Sequence, residues 1–210
     1  MKAYIYTGGK IDASNITEMP TAEDIVIAAD SGYNNAKALG VKPSVLLGDF
    51  DSLDTSAVED VSAEILSVPA EKDFTDTQMA IDIALKRGAT EIIIIGGLSG
   101  RLDHTLSNLA ILEDLHAKKI RAIINDGYNR VRYLKDDSII IFKSDYKYIS
   151  LIAKCKKVKG VTVEGCKYEL KGATLTDKYQ YAVSNEILKN CAFIAAKNGA
   201  LFIIESRDSI

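Results

Sequence analysis

Two aspartates one residue apart, Asp49 and Asp51, follow the apolar run at residues 45–47. In an extended chain, side chains at this spacing point to the same side, so the two carboxylates can converge on one point. Converging carboxylates repel each other unless a cation or a proton lies between them, and a set of oxygen donors suits Mg²⁺. Taken alone, the motif favours an ordinary turn, in which such side chains bond to nearby backbone.

Further acidic or glycine-rich segments follow other predicted strands in the first half of the chain. Asp30 follows the apolar run 25–29, and a glycine-rich segment at 96–104 follows the apolar run 91–95. If the sheet is parallel, these segments and the two aspartates above all lie at its carboxyl edge. Open α/β sheets bind their ligands at that edge. The expected convergence of these segments is stronger evidence for a ligand-binding site than any single motif.

Asp73 and Asp76 open the helix that the pattern predicts over residues 75–87. Thr75 with Gln78 fits a capping box at its start. Acids are favoured in the first turn of any helix, which is a sufficient explanation for both aspartates in isolation. Because the other strand ends at this edge carry acids or glycines, we predict that Asp76 is a metal ligand. For Asp73 both interpretations stay open.

The glycine-rich segment resembles a phosphate cradle, in which bare backbone amides and a helix N-terminus face an anion. It includes Gly97, but it matches neither the P-loop nor the Rossmann fingerprint. Arg101 follows directly and offers a fork of donors that can hold a phosphate at two points. For His104, a nucleotide contact and a hydrogen bond on the helix face stay open. Carboxylates, a glycine turn and an arginine together indicate phosphoryl transfer.

The composition excludes several classes of protein. A net charge of −3 and a pI near 5.5 over 210 residues argue against a nucleic-acid-binding surface, which would be basic. Three cysteines and two histidines without paired spacing make a zinc site or a disulfide scaffold improbable, and the cysteines fit buried apolar positions. No apolar run is long enough to span a bilayer and no signal peptide is visible, so we expect a cytoplasmic protein without a membrane partner.

The elements that must position these residues change in kind along the chain. Strand and helix signals alternate in the first half, which predicts a three-layer α/β domain with a mostly parallel sheet over residues 1–128. Four leucines predict the buried stripe of its last helix: Leu102, Leu106, Leu109 and Leu112. Short β-rich runs then follow one another, which predicts an antiparallel β-sandwich over residues 129–210.

Six motifs occur in the order and at the separations found in the thiamine pyrophosphokinases, and the chain resembles that family over nearly its whole length. They are Ala-Asp-Ser-Gly at 29–32, Gly-Asp-Phe-Asp-Ser at 48–52, Asp-Phe-Thr-Asp at 73–76, Gly-Gly with Gly-Arg-Leu-Asp-His at 96–104, Gly-Cys-Lys-Tyr-Glu-Leu at 165–170 and Val-Ser-Asn-Glu at 183–186. Cys166 and Ala182 depart from the family pattern, which commonly has leucine and glycine there. Neither departure touches the predicted metal site.

The resemblance implies transfer of a pyrophosphoryl group from ATP to the hydroxyl of thiamine, giving thiamine diphosphate and AMP. It also implies a homodimer with the active site between its subunits. By position, Asp49, Asp51 and Asp76 would hold Mg²⁺ with Asp30 close by. The residues that would contact ATP are Thr75, Gly97, Arg101, Asp103 and His104. Those that would meet the pyrimidine ring of thiamine from the partner subunit are Ser184 and Asn185.

The residues leave two details of the chemistry open. The nucleophile would be a primary alcohol, and either Asp73 or Asp76 could accept its proton as catalytic base. The same acids and glycines would also serve a Mg²⁺-dependent phosphohydrolase that passes the phosphate to water. A third alternative is a non-catalytic module that binds a nucleotide at the acidic edge.

Overall fold

The computed structural model describes residues 1–48, 63–67 and 74–208. The chain divides into two compact units, Met1–Gly127 and Tyr128–Ile210. Among the predicted site residues, Asp49, Asp51 and Asp73 lie outside the described residues.

Strands and helices alternate through the first unit. The strands are β1 (Lys2–Tyr6), β2 (Ile25–Ala29), β3 (Val45–Gly48), β4 (Glu64–Ser67), β5 (Glu91–Ile95) and β6 (Arg121–Asn125). The helices are α1 (Gly32–Ala38), α2 (Asp76–Lys86) and α3 (Leu102–Ala117), with a short 3-10 turn at Ala13–Asn15. All strand pairs are parallel, in the order β4-β3-β2-β1-β5-β6, which confirms the parallel sheet.

The order of these strands reverses between β1 and β5. The chain runs outward from β1 through β2, β3 and β4, and then returns to place β5 on the other side of β1. The segments that follow β1 and β5 therefore leave the sheet in opposite directions. Open α/β sheets bind ligands at such a point, outside the carboxyl ends of the strands.

Burial explains why these segments form central strands. All five residues of β2 are buried, and so are the last four of β5, as expected for strands covered on both faces. Tyr4 and Tyr6 of β1 share one core cluster with Ala36 of α1, so α1 covers that face of the sheet. The packing against this core, rather than helix propensity, holds a helix of only 7 residues in place.

The buried side of α3 differs from the predicted leucine stripe. Leu102 and Leu106 are 69% and 57% exposed, so this part of the prediction is wrong. The buried residues begin one to two turns later, at Asn108, Ile111, Leu112 and Leu115. Within the described part of the chain, the burial of α3 is thus confined to residues 108–115, in the middle and at the end of the helix.

The second unit is built from antiparallel strands. They are β7 (Asn129–Lys135), β8 (Ser138–Phe142), β9 (Tyr148–Ala153), β10 (Val158–Glu164), β11 (Leu170–Leu175), β12 (Cys191–Ala195) and β13 (Ala200–Ser206). Strand β13 pairs with β7 and β9, while the other four pair in the order β11-β10-β12-β8. The two sets share one apolar core, which includes Leu151, Val161, Ile194 and Leu201. The predicted β-sandwich is thereby confirmed.

The cysteines of this unit carry no disulfide, as expected. Cys166 is buried, and burial raises the pKa of its thiol to about 11, which makes it an unreactive core residue. Cys155 and Cys191 are only partly buried, so the predicted buried apolar role holds fully for Cys166 alone. Among the described helices, none is both long and apolar enough to cross a membrane.

Candidate functional site

The loops after β1 and β5 are joined to each other at the carboxyl edge of the first unit. The backbone N–H of Gly97 donates to the carbonyl of Gly8 at 3.2 Å. The Ser99 hydroxyl accepts from the N–H of Lys10 at 2.7 Å and donates to its carbonyl at 3.1 Å. The two loops therefore form one continuous surface at this edge of the sheet.

The turn after β5 requires glycine at two successive positions. Gly96 and Gly97 have φ angles of +93° and +76°, where side chains are strained. A Cβ on Gly97 would also lie 2.6 Å from Nδ2 of Asn108, which donates a buried hydrogen bond of 2.9 Å to the Gly97 carbonyl. A Cβ on Gly96 would lie 2.9 Å from the Thr7 carbonyl oxygen. The predicted phosphate cradle is therefore a tightly fixed turn.

Helix α1 fixes the loop after β1. Nδ2 of Asn35 donates to the carbonyls of Thr7 at 2.7 Å and Gly9 at 3.0 Å. The helix begins directly against the end of β1, since a Cβ on Gly32 would lie 2.0 Å from the Tyr6 carbonyl oxygen. Sequence reasoning missed both Asn35 and Asn108. The signal available was an asparagine inside a helix, where it is disfavoured unless its side chain has a specific partner.

Asp30 lies between the ends of β2 and β3. Its φ is +51°, a left-handed conformation that aspartate tolerates better than most residues. Its N–H donates to the Leu47 carbonyl at 2.7 Å, and its Cβ would lie 3.7 Å from a Cβ on Gly48. The backbone thus brings a half-buried carboxylate beside the strand end from which the sequence continues to Asp49.

Thr75 and Asp76 begin α2 as predicted. The Thr75 hydroxyl accepts from the N–H of Gln78 at 3.3 Å, and Oε1 of Gln78 accepts from the N–H of Thr75 at 3.0 Å. This is the predicted capping box. Asp76 is the first residue of the helix and is partly buried.

Arg101, Asp103 and His104 come together where α3 begins. Nη2 of Arg101 donates to Oδ2 of Asp103 at 2.6 Å, and Nε donates to Oδ1 at 3.2 Å. The N–H of His104 donates to the same carboxylate at 3.0 Å. The hydrogen bond from Arg101 holds the pKa of Asp103 below its ordinary value, and the carboxylate raises the pKa of Arg101 in turn. All three residues are exposed.

The described residues include no group of three or more acidic, histidine or cysteine side chains placed to hold a metal ion. Of the four predicted ligands, Asp30 and Asp76 are described and Asp49 and Asp51 are not. The predicted metal site therefore stays a prediction.

The second unit contains a cavity of about 250 Å³ beside the other predicted site residues. Its floor is apolar, and Tyr168 and Tyr181 belong to its lining together with Asn185. Ser184 is exposed, has a φ of +58° and donates its N–H to the Ser150 hydroxyl at 2.9 Å. Tyr168 belongs to the motif at residues 165–170, but it was not among the site residues predicted from the sequence.

A larger groove of about 520 Å³ lies between α2 and α3 in the first unit. Phe74, Met79 and Ile111 are among its lining residues, and none of the predicted site residues is. Size alone therefore does not identify it as the catalytic centre. Polar side chains and glycine turns converge instead at the carboxyl edge.

Comparison with known proteins gives one consistent answer. Residues 16–124 match the family described as "Thiamin pyrophosphokinase, catalytic domain", and residues 138–201 match "Thiamin pyrophosphokinase, vitamin B1 binding domain". The thiamine pyrophosphokinase of Bacillus subtilis is 30% identical over 186 residues, which cover 87% of each chain.

Solved structures agree with the sequence comparison. The crystal structure of thiamine pyrophosphokinase from Bacillus subtilis superposes with a TM-score of 0.88 and 25% identity over 100% of both chains. That of thiamin pyrophosphokinase from Geobacillus thermodenitrificans gives 0.85 and 26%, covering 100% of this chain and 99% of the other.

Proposed function

This chain belongs to the thiamin pyrophosphokinase family, and on that premise we propose that it transfers the pyrophosphoryl group of ATP to the hydroxyl of thiamine, giving thiamine diphosphate and AMP. The observation that carries the proposal is the match of both family domains, in order, to the two halves of one chain. We assign the ATP and Mg²⁺ site to residues 1–128 and part of the thiamine site and the dimer contact to residues 129–210.

The triphosphate of ATP lies on the joined loops after β1 and β5, at the carboxyl edge of the sheet. The turn at Gly97 presents backbone without side chains, and Arg101 offers donors at the N-terminus of α3, where the helix dipole favours negative charge. Asp103 and His104 complete this group at the start of α3, and Thr75 lies at the start of α2. The fixed turn supports this assignment, because its two glycines let the chain pass directly against Thr7 and Asn108 and so hold the backbone in one conformation before the nucleotide binds.

The Mg²⁺ ligands are Asp30, Asp49, Asp51 and Asp76. Their oxygen donors fit this hard cation, and the left-handed backbone of Asp30 beside Gly48 supports a shared site at the ends of β2 and β3. These carboxylates would hold the ion, which would supply positive charge to the phosphate groups. Either Asp73 or Asp76 accepts the proton of the attacking hydroxyl as catalytic base.

Thiamine is held by Ser184 and Asn185 next to the cavity of the second unit. We propose a homodimer in which these residues meet the pyrimidine ring in the active site of the partner subunit. The apolar floor of the cavity and the exposed Tyr168 at its lining support a flat aromatic ligand. The cytoplasmic location stays a prediction.

Mass detection of the products tests the reaction. The protein with Mg²⁺ is incubated with ATP, with thiamine and with both together. We expect AMP and thiamine diphosphate only when both substrates are present. Release of phosphate from ATP alone would identify a phosphohydrolase, and nucleotide binding without any product over long incubation would identify a binding module.

A mixing experiment tests the shared active site. Asp51→Asn and Ser184→Lys are each expected to be inactive and are then exchanged into mixed dimers. If each site draws on both subunits, half of the molecules regain one of two sites, so about a quarter of the wild-type activity returns. Mixed dimers without activity would contradict a site between subunits.

A further inference from the structure

Two motifs of the second unit that lie about twenty residues apart in the sequence are joined in the structure. Cys166 and Ile187 form an isolated antiparallel bridge. The N–H of Lys167 donates to the carbonyl of Glu186 at 2.9 Å, and its ammonium group lies 3.0 Å from the Glu186 carboxylate. Residues 165–169 and 184–188 therefore form one joined structure, which we call the motif clamp.

Asn185 is the polar centre of the motif clamp. Its Oδ1 accepts from the N–H of Tyr168 and from the N–H of Glu186, each at 2.9 Å, and its Nδ2 donates to the carbonyl of Tyr168 at 2.7 Å. A carboxamide has two acceptor positions and two donor hydrogens. These contacts use both acceptor positions and one donor hydrogen, which leaves a single donor hydrogen of the carboxamide for a hydrogen bond to a ligand.

Strand β9 fixes Asn185 itself. The N–H of Ile149 donates to the Asn185 carbonyl at 2.8 Å, and the N–H of Asn185 donates to the Ile149 carbonyl at 3.0 Å. Ile149 is buried in the sandwich core. Strand β9 thus holds the backbone of Asn185, and the carboxamide of Asn185 in turn bonds to both backbone polar groups of Tyr168.

Tyr168 depends on this support. It lies between β10 and β11, outside both strands, and it is 62% exposed. The same residue lines the cavity of about 250 Å³. An exposed ring on an unsupported loop would lose conformational entropy when it orders against a ligand, and a backbone fixed in advance removes part of that cost.

We infer that the carboxamide of Asn185 is a positioning group, which acts on thiamine binding through the backbone of Tyr168, so that the pyrimidine ring meets Asn185 through other atoms of this residue. This inference rests on the proposed function only in naming thiamine as the ligand of the cavity. The positioning itself is a property of the free protein and can be measured without any substrate.

The absence of tryptophan from the sequence permits a direct measurement. Tyr168→Trp makes the chain a single-tryptophan protein with the reporter at the cavity. In this background and without ligand, Asn185→Ala is expected to lower the fluorescence anisotropy and increase acrylamide quenching. Asn185→Asp is expected to have an intermediate effect, because it keeps the acceptor for the Tyr168 N–H and loses the donor. Unchanged mobility in both variants would overturn the inference.

A matched control and a second measurement accompany this experiment. Asn190 is an exposed residue just beyond the motif clamp. Asn190→Asp adds the same negative charge as Asn185→Asp and should leave the anisotropy and quenching of the tryptophan reporter unchanged. Hydrogen exchange of the peptide that contains residue 168 repeats the measurement in chains that keep the tyrosine. Faster exchange in Asn185→Ala than in Asn190→Asp is expected, and equal exchange would overturn the inference.

Kinetics separate a positioning role from a direct contact. Asn185→Ala and Tyr168→Ala are each expected to raise KM for thiamine about tenfold, with kcat and KM for ATP nearly unchanged. The double variant should resemble Tyr168→Ala alone, because Asn185 has nothing left to position. If the fold-changes in KM of the two single variants multiply in the double variant, the carboxamide of Asn185 contacts thiamine directly.

The ligand-free measurements are independent of the proposed function. If the wild-type protein forms no thiamine diphosphate, the proposed function is refuted, while the mobility of residue 168 still tests the positioning.

Discussion

The two charged residues predicted to contact ATP at the start of α3 contact each other in this structure. Arg101 uses two of its five N–H donors on Asp103 and has others left for a phosphate. The pair is solvent-exposed, so water and salt screen it and a triphosphate can compete for the guanidinium at small cost. In the proposed ATP site, this pair would orient Arg101 before the nucleotide binds and would release it to a phosphate.

The lowered pKa of Asp103 gives a test of this pairing. Carboxyl NMR titration is expected to place the pKa of Asp103 below the ordinary value of about 4, and Arg101→Met should raise it towards that value. Because the folded-state pKa is the lower one, the pair stabilises the fold at neutral pH. Its contribution is lost as the pH falls through the lowered pKa. Lys118→Met, which removes an exposed cation at the other end of α3, should leave the titration unchanged.

Asp51 gives the sharpest test of the metal site, although it lies outside the described residues. Asp51→Asn is expected to fold normally and to lose most of its turnover, since an amide is a much weaker ligand for a divalent cation than a carboxylate. AMP release and thermal unfolding are measured together. The control is Asp82→Asn, an exposed residue paired with Lys86 on α2. Near-wild-type AMP release by Asp51→Asn would remove this residue from the metal site.

At the scale of elements, the first turn of α1 holds the loops at the carboxyl edge of the sheet in place. Gly32 allows the helix to begin against the end of β1, and Asn35 then bonds to the loop that follows this strand. The same loop is bonded to the glycine turn after β5. One short helix thus fixes both sides of the proposed ATP site.

Two neighbouring asparagines allow a matched comparison. Asn35→Ala removes both hydrogen bonds to the loop after β1 and is expected to cost about 1–3 kcal/mol of unfolding free energy, because the carbonyl of the buried residue Thr7 loses its donor. It should also raise KM for ATP. Asn34→Ala, at an exposed position of the same helix, should change neither quantity. Urea denaturation and steady-state kinetics measure both, and equal behaviour of the two variants would refute the role of Asn35.

Gly32 tests the packing of α1 against β1. In an open helix, glycine to alanine is stabilising by about 1 kcal/mol. Here the added Cβ would lie 2.0 Å from a backbone oxygen, so Gly32→Ala is expected to destabilise the fold by about 3 kcal/mol. Gly40→Ala, where φ is +67° but the surrounding space is open, should cost about 1 kcal/mol. A Gly32→Ala protein as stable as the wild type in urea denaturation would contradict this packing.

At the scale of the whole molecule, each unit has its own core, and the second contains a buried ion network. Glu205 on β13 is almost fully buried and is bonded by both Arg130 and Arg132 of the neighbouring strand β7. The hydroxyl of Ser144 also donates to this carboxylate at 3.3 Å. A carboxylate in an apolar interior requires such partners, because an unpaired buried charge is very costly.

Loss of this network should affect the second unit specifically. Glu205→Gln is expected to cost about 3–5 kcal/mol, since it leaves two arginines without their anion in a buried place. Hydrogen exchange should increase in β7 and β13 and stay unchanged in β1 and β5. Glu164→Gln at an exposed position of β10 is the control. Equal loss of protection in both units would contradict a local effect.

The sequence by itself determined the type and order of the elements. Apolar runs such as β5 are continuous where a strand is buried on both faces, and alternating strand and helix signals require a parallel sheet. The capping box of Thr75 and Gln78 and the glycine turn at Gly96 and Gly97 were also visible, because the chemistry of each is contained in a few successive residues. Such local patterns were sufficient to predict the edge of the sheet where the proposed ATP site lies.

Only the tertiary structure decided which side chains hold that edge and the cavity in place. Asn35, Asn108 and Asn185 each bond to backbone that lies 11 to 28 residues away, and no spacing in the sequence reveals such a partner. The exposure of Leu102 and Leu106 was decided in the same way, because the sequence shows an apolar stripe but not which of its residues other elements cover. A pattern in the sequence specifies what an element can bury or bond, whereas its neighbours in space determine what it does bury or bond.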